Sequence, residues 1–148
     1  MMTKLVRSLL VGASLMLASC ASSKHFVATS IDANSKSIAV DTEQMGVMTD
    51  IKNELRQRGW TIYSTTQRVT DRVNADRMVS YKGNARYSLT YESRQVDVNI
   101  LTFQPMLNFN ASLIDNHSGL EVLSFEAKRT DQDDCAQQLA DLIEQNTK

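Results

Sequence analysis

Apolar residues recur at every second position along most of the later chain, and at every third or fourth in two stretches, a pattern that predicts strands accompanied by two helices. Lys36–Val40, with Ile38 and Val40 on one side, predicts a strand. Over Asp41–Arg58 the period changes: Met45, Met48, Ile51 and Leu55 fall at spacings of three, three and four, while Asp50, Lys52, Glu54 and Arg56 take the outside. That is an amphipathic helix. Asp41 or Thr42 can cap its start, Arg56 and Arg58 complement its last turn, and Gly59 supplies a stop. Trp60–Thr66 follows as a strand with Trp60 and Ile62 on one face.

In Gln67–Asn84 the charges Arg68, Asp71, Arg72, Asp76 and Arg77 break any apolar face, and Met78, Val79 and Tyr81 suggest only a short strand. The stretch reads as a long, partly ordered connection. Ala85, Tyr87, Leu89 and Tyr91 then alternate with Arg86, Ser88, Thr90 and Glu92, the mark of a strand with one buried face. Ser93-Arg94-Gln95 predicts a turn, after which Val96, Val98 and Ile100 form another alternating set that must end by Pro105. Leu107, Phe109, Ala111 and Leu113 alternate with Asn108, Asn110 and Ser112. With the turn Asp115–Gly119 and the return Leu120–Ala127 they predict a β-hairpin. Thr130 or Asp131 caps a last helix whose Cys135, Leu139, Leu142 and Ile143 make one stripe. The expected class is α+β: a mostly antiparallel sheet of about five strands with two helices packed on one face.

The first 35 residues follow a different logic. Met1–Arg7 carries Lys4 and Arg7 with no acid, and Ser8–Leu17 is dominated by Leu9, Leu10, Val11, Leu15, Met16 and Leu17. About ten apolar residues are half of the roughly 20 needed to span a bilayer, so cleavage is expected in place of a permanent anchor. Leu17-Ala18-Ser19-Cys20 resembles the bacterial lipobox, in which the cysteine thiol receives a diacylglycerol and the chain is cut before it. The resemblance implies a signal peptide over residues 1–19, signal-peptidase recognition by Leu17, Ala18 and Ser19, and acyl chains on Cys20. Ala21 stands where Asp would retain an enterobacterial lipoprotein in the inner membrane, which points to the outer membrane with the domain facing the periplasm. Residues 20–35 are expected as a lipidated tether, within which Ala21–Asn34 reaches on the order of 45 Å when extended, although a first strand can begin at His25–Thr29. Residues 36–148 make a single domain.

Removing residues 1–19 leaves 14 basic against 17 acidic residues, a net side-chain charge of −3 that favours neither nucleic acid nor an anionic surface. Cys135 is then the one unmodified thiol, so a disulfide framework within the monomer is excluded. Candidate chemistry is thin. His25 in the tether and His117 in a turn are the two histidines, too few for a convincing catalytic or metal constellation. Asp131, Asp133 and Asp134 open a helix, where carboxylates offset the dipole. Cys135 sits in the apolar stripe and beside two carboxylates, which suits a buried inert thiol better than a nucleophile. No Gly-x-Ser-x-Gly and no glycine-rich phosphate loop occurs. Neither an enzyme, a metal nor a cofactor is expected. The aromatic residues available to a binding surface are Trp60, Tyr63, Tyr81, Tyr87 and Tyr91, with Tyr87 and Tyr91 better explained as core. Arg86 and Glu92 on the opposite side, with Arg94 in the turn, are better explained as a solvated face than as a partner-binding one.

The order of strand, helix ending in Arg58-Gly59-Trp60, strand, then Ala85-Arg86-Tyr87-Ser88-Leu89, then Leu113-Ile114-Asp115 with Ser118-Gly119 and Val122, resembles a group of small envelope lipoprotein domains. It is similar over about Lys36–Asn146 to the amino-terminal domain of TolB and the periplasmic domains of LpoB and CsgG. The resemblance implies non-enzymatic work as an interaction or assembly module of a cell-envelope complex, with an envelope protein as partner. The alternative expectation is a carrier or sensor of a small apolar ligand or lipid, held in a pocket lined by Met48, Tyr87, Leu89 and Phe109.

Overall fold

In a computed structural model of the chain the described residues are 22–41, 46–65 and 84–148. They run β1 (Ser22–Val27), β2 (Ser37–Asp41), α1 (Gly46–Gln57), β3 (Thr61–Thr65), β4 (Tyr87–Val98), β5 (Pro105–Asp115), β6 (Glu121–Asp131) and α2 (Gln132–Gln145). The strands form one sheet in the order β1-β6-β5-β4-β2-β3. Pairing is antiparallel from β1 through β6 and β5 to β4, and parallel from β4 through β2 to β3. This is the α+β architecture that the periodicity predicts, with six strands where about five are expected.

Each element follows from its own spacing. In α1 the stripe Val47, Met48, Ile51 and Leu55 is buried, and in α2 Cys135, Ala136, Leu139, Ala140, Leu142 and Ile143 are. The two stripes close over the alternating side chains Leu107, Phe109, Ala111 and Leu113 of β5, with Tyr87 and Leu89 of β4, in one apolar cluster. Asn108 and Asn110 take the opposite, wet face. Gly59 adopts φ +82°, a left-handed conformation that an L side chain resists, and it ends α1 one residue before the buried Trp60. Tyr87 is buried with its hydroxyl satisfied, accepting the Asp32 backbone N–H at 2.9 Å.

Three expectations are corrected. Residues 22–35 are not a tether: β1 pairs with β6 from Ser22 onward, Ile31 is buried in the core, and its N–H and C=O bond to Asn146 and Lys148. The polar composition misled because β1 is an edge strand exposed along nearly its whole length. Ser93-Arg94-Gln95 is not a turn. β4 runs through it, paired with Phe109, Asn108 and Leu107 of β5, and absorbs a register shift between Gln95 and Asp97. Charged and amide side chains can sit in a strand that covers no core. Ile100 consequently lies in the turn after β4, outside any strand. The helix start expected at Asp41 is replaced by strand at that residue, and Thr42–Met45 and nearly all of Gln67–Asn84 lie outside the described residues.

A polar clamp closes the end of the sheet where β2 and β3 begin. Lys36 Nζ donates to Glu144 Oε1 at 2.7 Å and to the Arg58 carbonyl at 3.3 Å, and Trp60 Nε1 donates to Glu144 Oε2 at 3.3 Å. Arg58 bonds Glu54 at 2.6 Å and also Asp141. The Lys36 ammonium holds the Glu144 carboxyl below its ordinary 4.5, so the stability this group contributes is present above pH 4.5 and is lost as pH falls through the folded-state value. Because Glu144 keeps 39% of its side chain exposed, the contribution is about 1 kcal/mol or less. Glu144→Gln is therefore expected to lower the urea midpoint slightly at neutral pH and to match the parent once both are measured well below pH 4.5.

Candidate interaction surface

β4 outruns the strand beside it. β2 meets only Tyr87, Ser88 and Leu89, whereas β5 stays paired to β4 as far as Val98, opposite Pro105. From Glu92 to Val98 every residue of β4 is exposed, and among the described residues no strand lies on that outer edge. The far part of β4 thus forms an exposed arm on the β4–β5 ladder, open along its outer edge, while Leu107 of β5, opposite Gln95, still belongs to the core. Asp97, exposed on it, pairs with Arg129 at 2.8 Å, which ties the arm to β6.

The turn that closes the arm, residues 99–104, is held by its own polar groups. Asn99 Nδ2 donates to Asp131 Oδ2 at 2.7 Å, and Asn99 Oδ1 accepts the backbone N–H groups of Leu101 and Thr102 at 3.0 and 3.4 Å. Asn99 N–H donates to the Gln104 carbonyl at 2.9 Å and Phe103 N–H to the Asn99 carbonyl at 2.7 Å. Thr102 Oγ1 reaches Asp131 at 3.3 Å and accepts Gln104 N–H at 3.3 Å. Asp131, expected as a helix cap, makes no capping bond to α2 and serves this turn instead. The ordered turn presents Ile100, Leu101 and Phe103 to solvent at 84, 82 and 82% exposure.

At the opposite end of the sheet, Arg86 donates to Asp115 at 2.7 Å and its guanidinium lies 5.8 Å from the centre of the Tyr87 ring. Burial pushes the Asp115 carboxyl up, but the His117 N–H bond and the Arg86 guanidinium together hold it below the ordinary carboxylate value. Asn116 bonds the Ser88 hydroxyl at 2.8 Å and the Ala85 carbonyl at 3.0 Å, so Asp115-Asn116-His117 pins a hairpin to the start of β4. Arg86 is thereby half-withdrawn from the solvated face that its alternation predicts, while Glu92 and Arg94 stand on it. Cys135 is fully buried, and desolvation pushes its thiol up to about 12. His25 is exposed on β1, beside an open cleft of about 230 Å³ that it lines with Phe125, Asp141 and Leu142. Met48, Tyr87, Leu89 and Phe109, expected around a ligand pocket, are closed members of the packed core. Tyr63 is exposed on β3, Tyr91 stacks on Phe109 at 6.0 Å, and Tyr81 lies outside the described residues.

Leu17, Ala18, Ser19 and Cys20 also lie outside the described residues, which begin at Ser22. Among those residues no helix is long and apolar enough to cross a membrane. The exposed apolar turn is the feature that periodicity missed. Its signal was available in Ile100-Leu101-Thr102-Phe103, an apolar run without alternation between Asn99 and Pro105, which suits neither face of a strand.

No protein-family model and no curated protein matches the sequence. Solved structures are similar to this chain. A dodecamer of a PelC variant from Paraburkholderia phytofirmans superposes with a TM-score of 0.57 at 15% identity, covering 86% of this chain and 98% of that one. A second PelC dodecamer from the same organism gives 0.56 at 16% identity, with 86 and 99% coverage. A minor lipoprotein from Acinetobacter baumannii gives 0.38 at 15% identity, with 76 and 92% coverage. At such identities the likeness to PelC establishes a common fold, a small α+β domain spanning most of this chain and nearly all of the PelC chain.

Proposed function

We propose that this chain is a lipoprotein held in the outer membrane through acyl chains on Cys20, facing the periplasm, and that it acts as a non-enzymatic interaction or assembly module of a cell-envelope complex. The observation that carries the reading is the β4–β5 arm. Ordering a residue costs about 1–2 kcal/mol of backbone entropy, and Glu92–Val98 are ordered while burying little in return. An exposed strand edge of this kind is a template for another chain, which can add main-chain hydrogen bonds along it and be selected by Glu92 and Arg94. A membrane anchor raises the effective concentration of such a surface near envelope partners.

Two likenesses support the reading. PelC, which shares the fold, is a dodecamer, so this fold can present surfaces for assembly. The resemblance to the TolB, LpoB and CsgG periplasmic domains implies the same class of work, and Ala21 at the sorting position favours the outer membrane. The test places a photocrosslinking side chain at Glu92 or Arg94 in intact cells, with Glu121 at the opposite end of the sheet as the control. One dominant adduct with an envelope protein, or with a second copy of the chain, is expected from positions 92 and 94 and not from 121. Adducts no stronger at 92 and 94 than at 121 would overturn the assignment of the arm.

A further inference from the structure

The strand registers put the start of β1 and the apolar turn at one end of the sheet. Ser22 faces Lys128, and because β1 is antiparallel to β6 the first residue of β1 lies at the Asp131 end of the sheet. Met106 faces Asp131 and Val98 faces Pro105, so the β4–β5 turn stands at the Asp131 end as well. From Lys128 to Asp131 is roughly 10 Å of strand, and the turn rises beyond it. Cys20 is separated from Ser22 by Ala21 alone, a span of at most about 7 Å. Sideways, β1 and β4 are three strand positions apart, about 14 Å. A leaflet that holds acyl chains on Cys20 is within reach of the turn.

We infer that the β4–β5 turn is a second membrane contact, in which Ile100, Leu101 and Phe103 enter the interfacial layer of the leaflet that holds the Cys20 acyl chains. The inference rests on the lipidation proposed above and adds to it a docking geometry: the sheet stands on the membrane with its Asp131 end down.

The chemistry of the turn fits a medium of low polarity. Unsatisfied backbone groups are costly there, and the N–H groups of Leu101, Thr102, Phe103 and Gln104 are all satisfied within the turn. The neighbouring carboxylates are engaged as well: Asp97 with Arg129, and Asp131 with Asn99 and Thr102. Phe103 holds φ +57°, a left-handed conformation suited to glycine, so its ring is kept exposed at a conformational cost. Asp133 and Asp134 are exposed in the first turn of α2 at the same end, which favours a zwitterionic surface over an anionic one.

The test uses the intact lipidated chain, purified from a host that processes lipoproteins and reconstituted into phosphatidylcholine vesicles with brominated acyl chains. Trp60 is the one tryptophan and is buried, so it supplies a constant background. Phe103→Trp is expected to give a blue-shifted emission that bromine quenches. Tyr63→Trp is the control: Tyr63 faces Ala39 and through it Ser88, some 33 Å up β4 from Val98, and it is expected to be unquenched. Quenching at neither position, or equally at both, would overturn the inference while leaving the anchor intact. A purified chain with no acyl mass on Cys20 would remove the anchor and the inference together. Ile100→Trp repeats the measurement if Phe103→Trp changes the far-ultraviolet spectrum. In each quenched variant, adding Leu101→Asp is expected to weaken vesicle binding of the unacylated Cys20→Ser chain about tenfold or more, the partitioning of one large apolar side chain.

Discussion

Phe109→Ala is expected to destabilise the domain by roughly 3–5 kcal/mol, a large share of the 5–15 kcal/mol that holds a typical domain together. Phe109 has no solvent exposure and lies on β5, with β4 on one side and β6 on the other. Its ring stacks on Tyr91 with centroids 6.0 Å apart and meets Phe125 at 6.3 Å and a 56° tilt. The cavity left by alanine cannot collapse easily, because its floor is a strand laddered on both sides and its roof is the stripe of α2. Urea unfolding reads the effect as a lowered midpoint at unchanged slope. Asn110→Ala, one residue along on the wet face, is expected to stay within about 0.5 kcal/mol. A loss below about 1 kcal/mol for Phe109→Ala would mean that helix and sheet are not closely packed at the centre of the fold.

That contrast between adjacent residues is also why so much of the fold was legible in the sequence. β5 is clear because it packs on one face only, so burial imposes strict alternation from Leu107 to Leu113. The stripes of α1 and α2 are clear because each helix covers the same apolar floor. Legibility ends where burial ends. Ser93, Arg94 and Gln95 read as a turn because they are polar, yet they are strand: their order comes from backbone pairing with β5, which leaves no trace in side-chain hydropathy. β1 reads as a tether for the same reason, being paired along its backbone but almost wholly exposed.

The candidate site was legible in halves. The proposed lipobox would be read by an enzyme through its side chains, so Leu17, Ala18, Ser19 and Cys20 stand out in one dimension. The arm and its turn do not, since their meaning depends on where β2 stops and which end of the sheet Ser22 enters. Ile100 illustrates the difficulty. Its spacing from Val96 and Val98 fits a buried face, and only the register with β5 shows that the strand has already ended.

Cys20→Ser is expected to release the protein from the membrane in every molecule that has lost residues 1–19, with the domain still folded. Each acyl CH₂ buried in lipid contributes about 0.8 kcal/mol, so two or three chains bind far beyond the marginal, reversible level of one. The turn cannot replace them. Full burial of a large apolar side chain is worth about 1.5–3 kcal/mol, and Ile100, Leu101 and Phe103 reach only the interfacial layer. Together they approach the strength of one acyl chain at most, which orients a lipid-anchored domain but does not hold a free one at periplasmic dilution. Because β1 starts two residues after Cys20, the release is a loss of position as well as of attachment: the end of the sheet that carries Ser22 is no longer kept within about 7 Å of the leaflet. Fractionation after mass analysis of the cleaved chain distinguishes the outcomes. Cleaved Cys20→Ser protein in the soluble periplasmic fraction is expected, and the same protein retained quantitatively in the outer membrane would show that contacts within residues 21–148, and not acyl chains, provide the anchor.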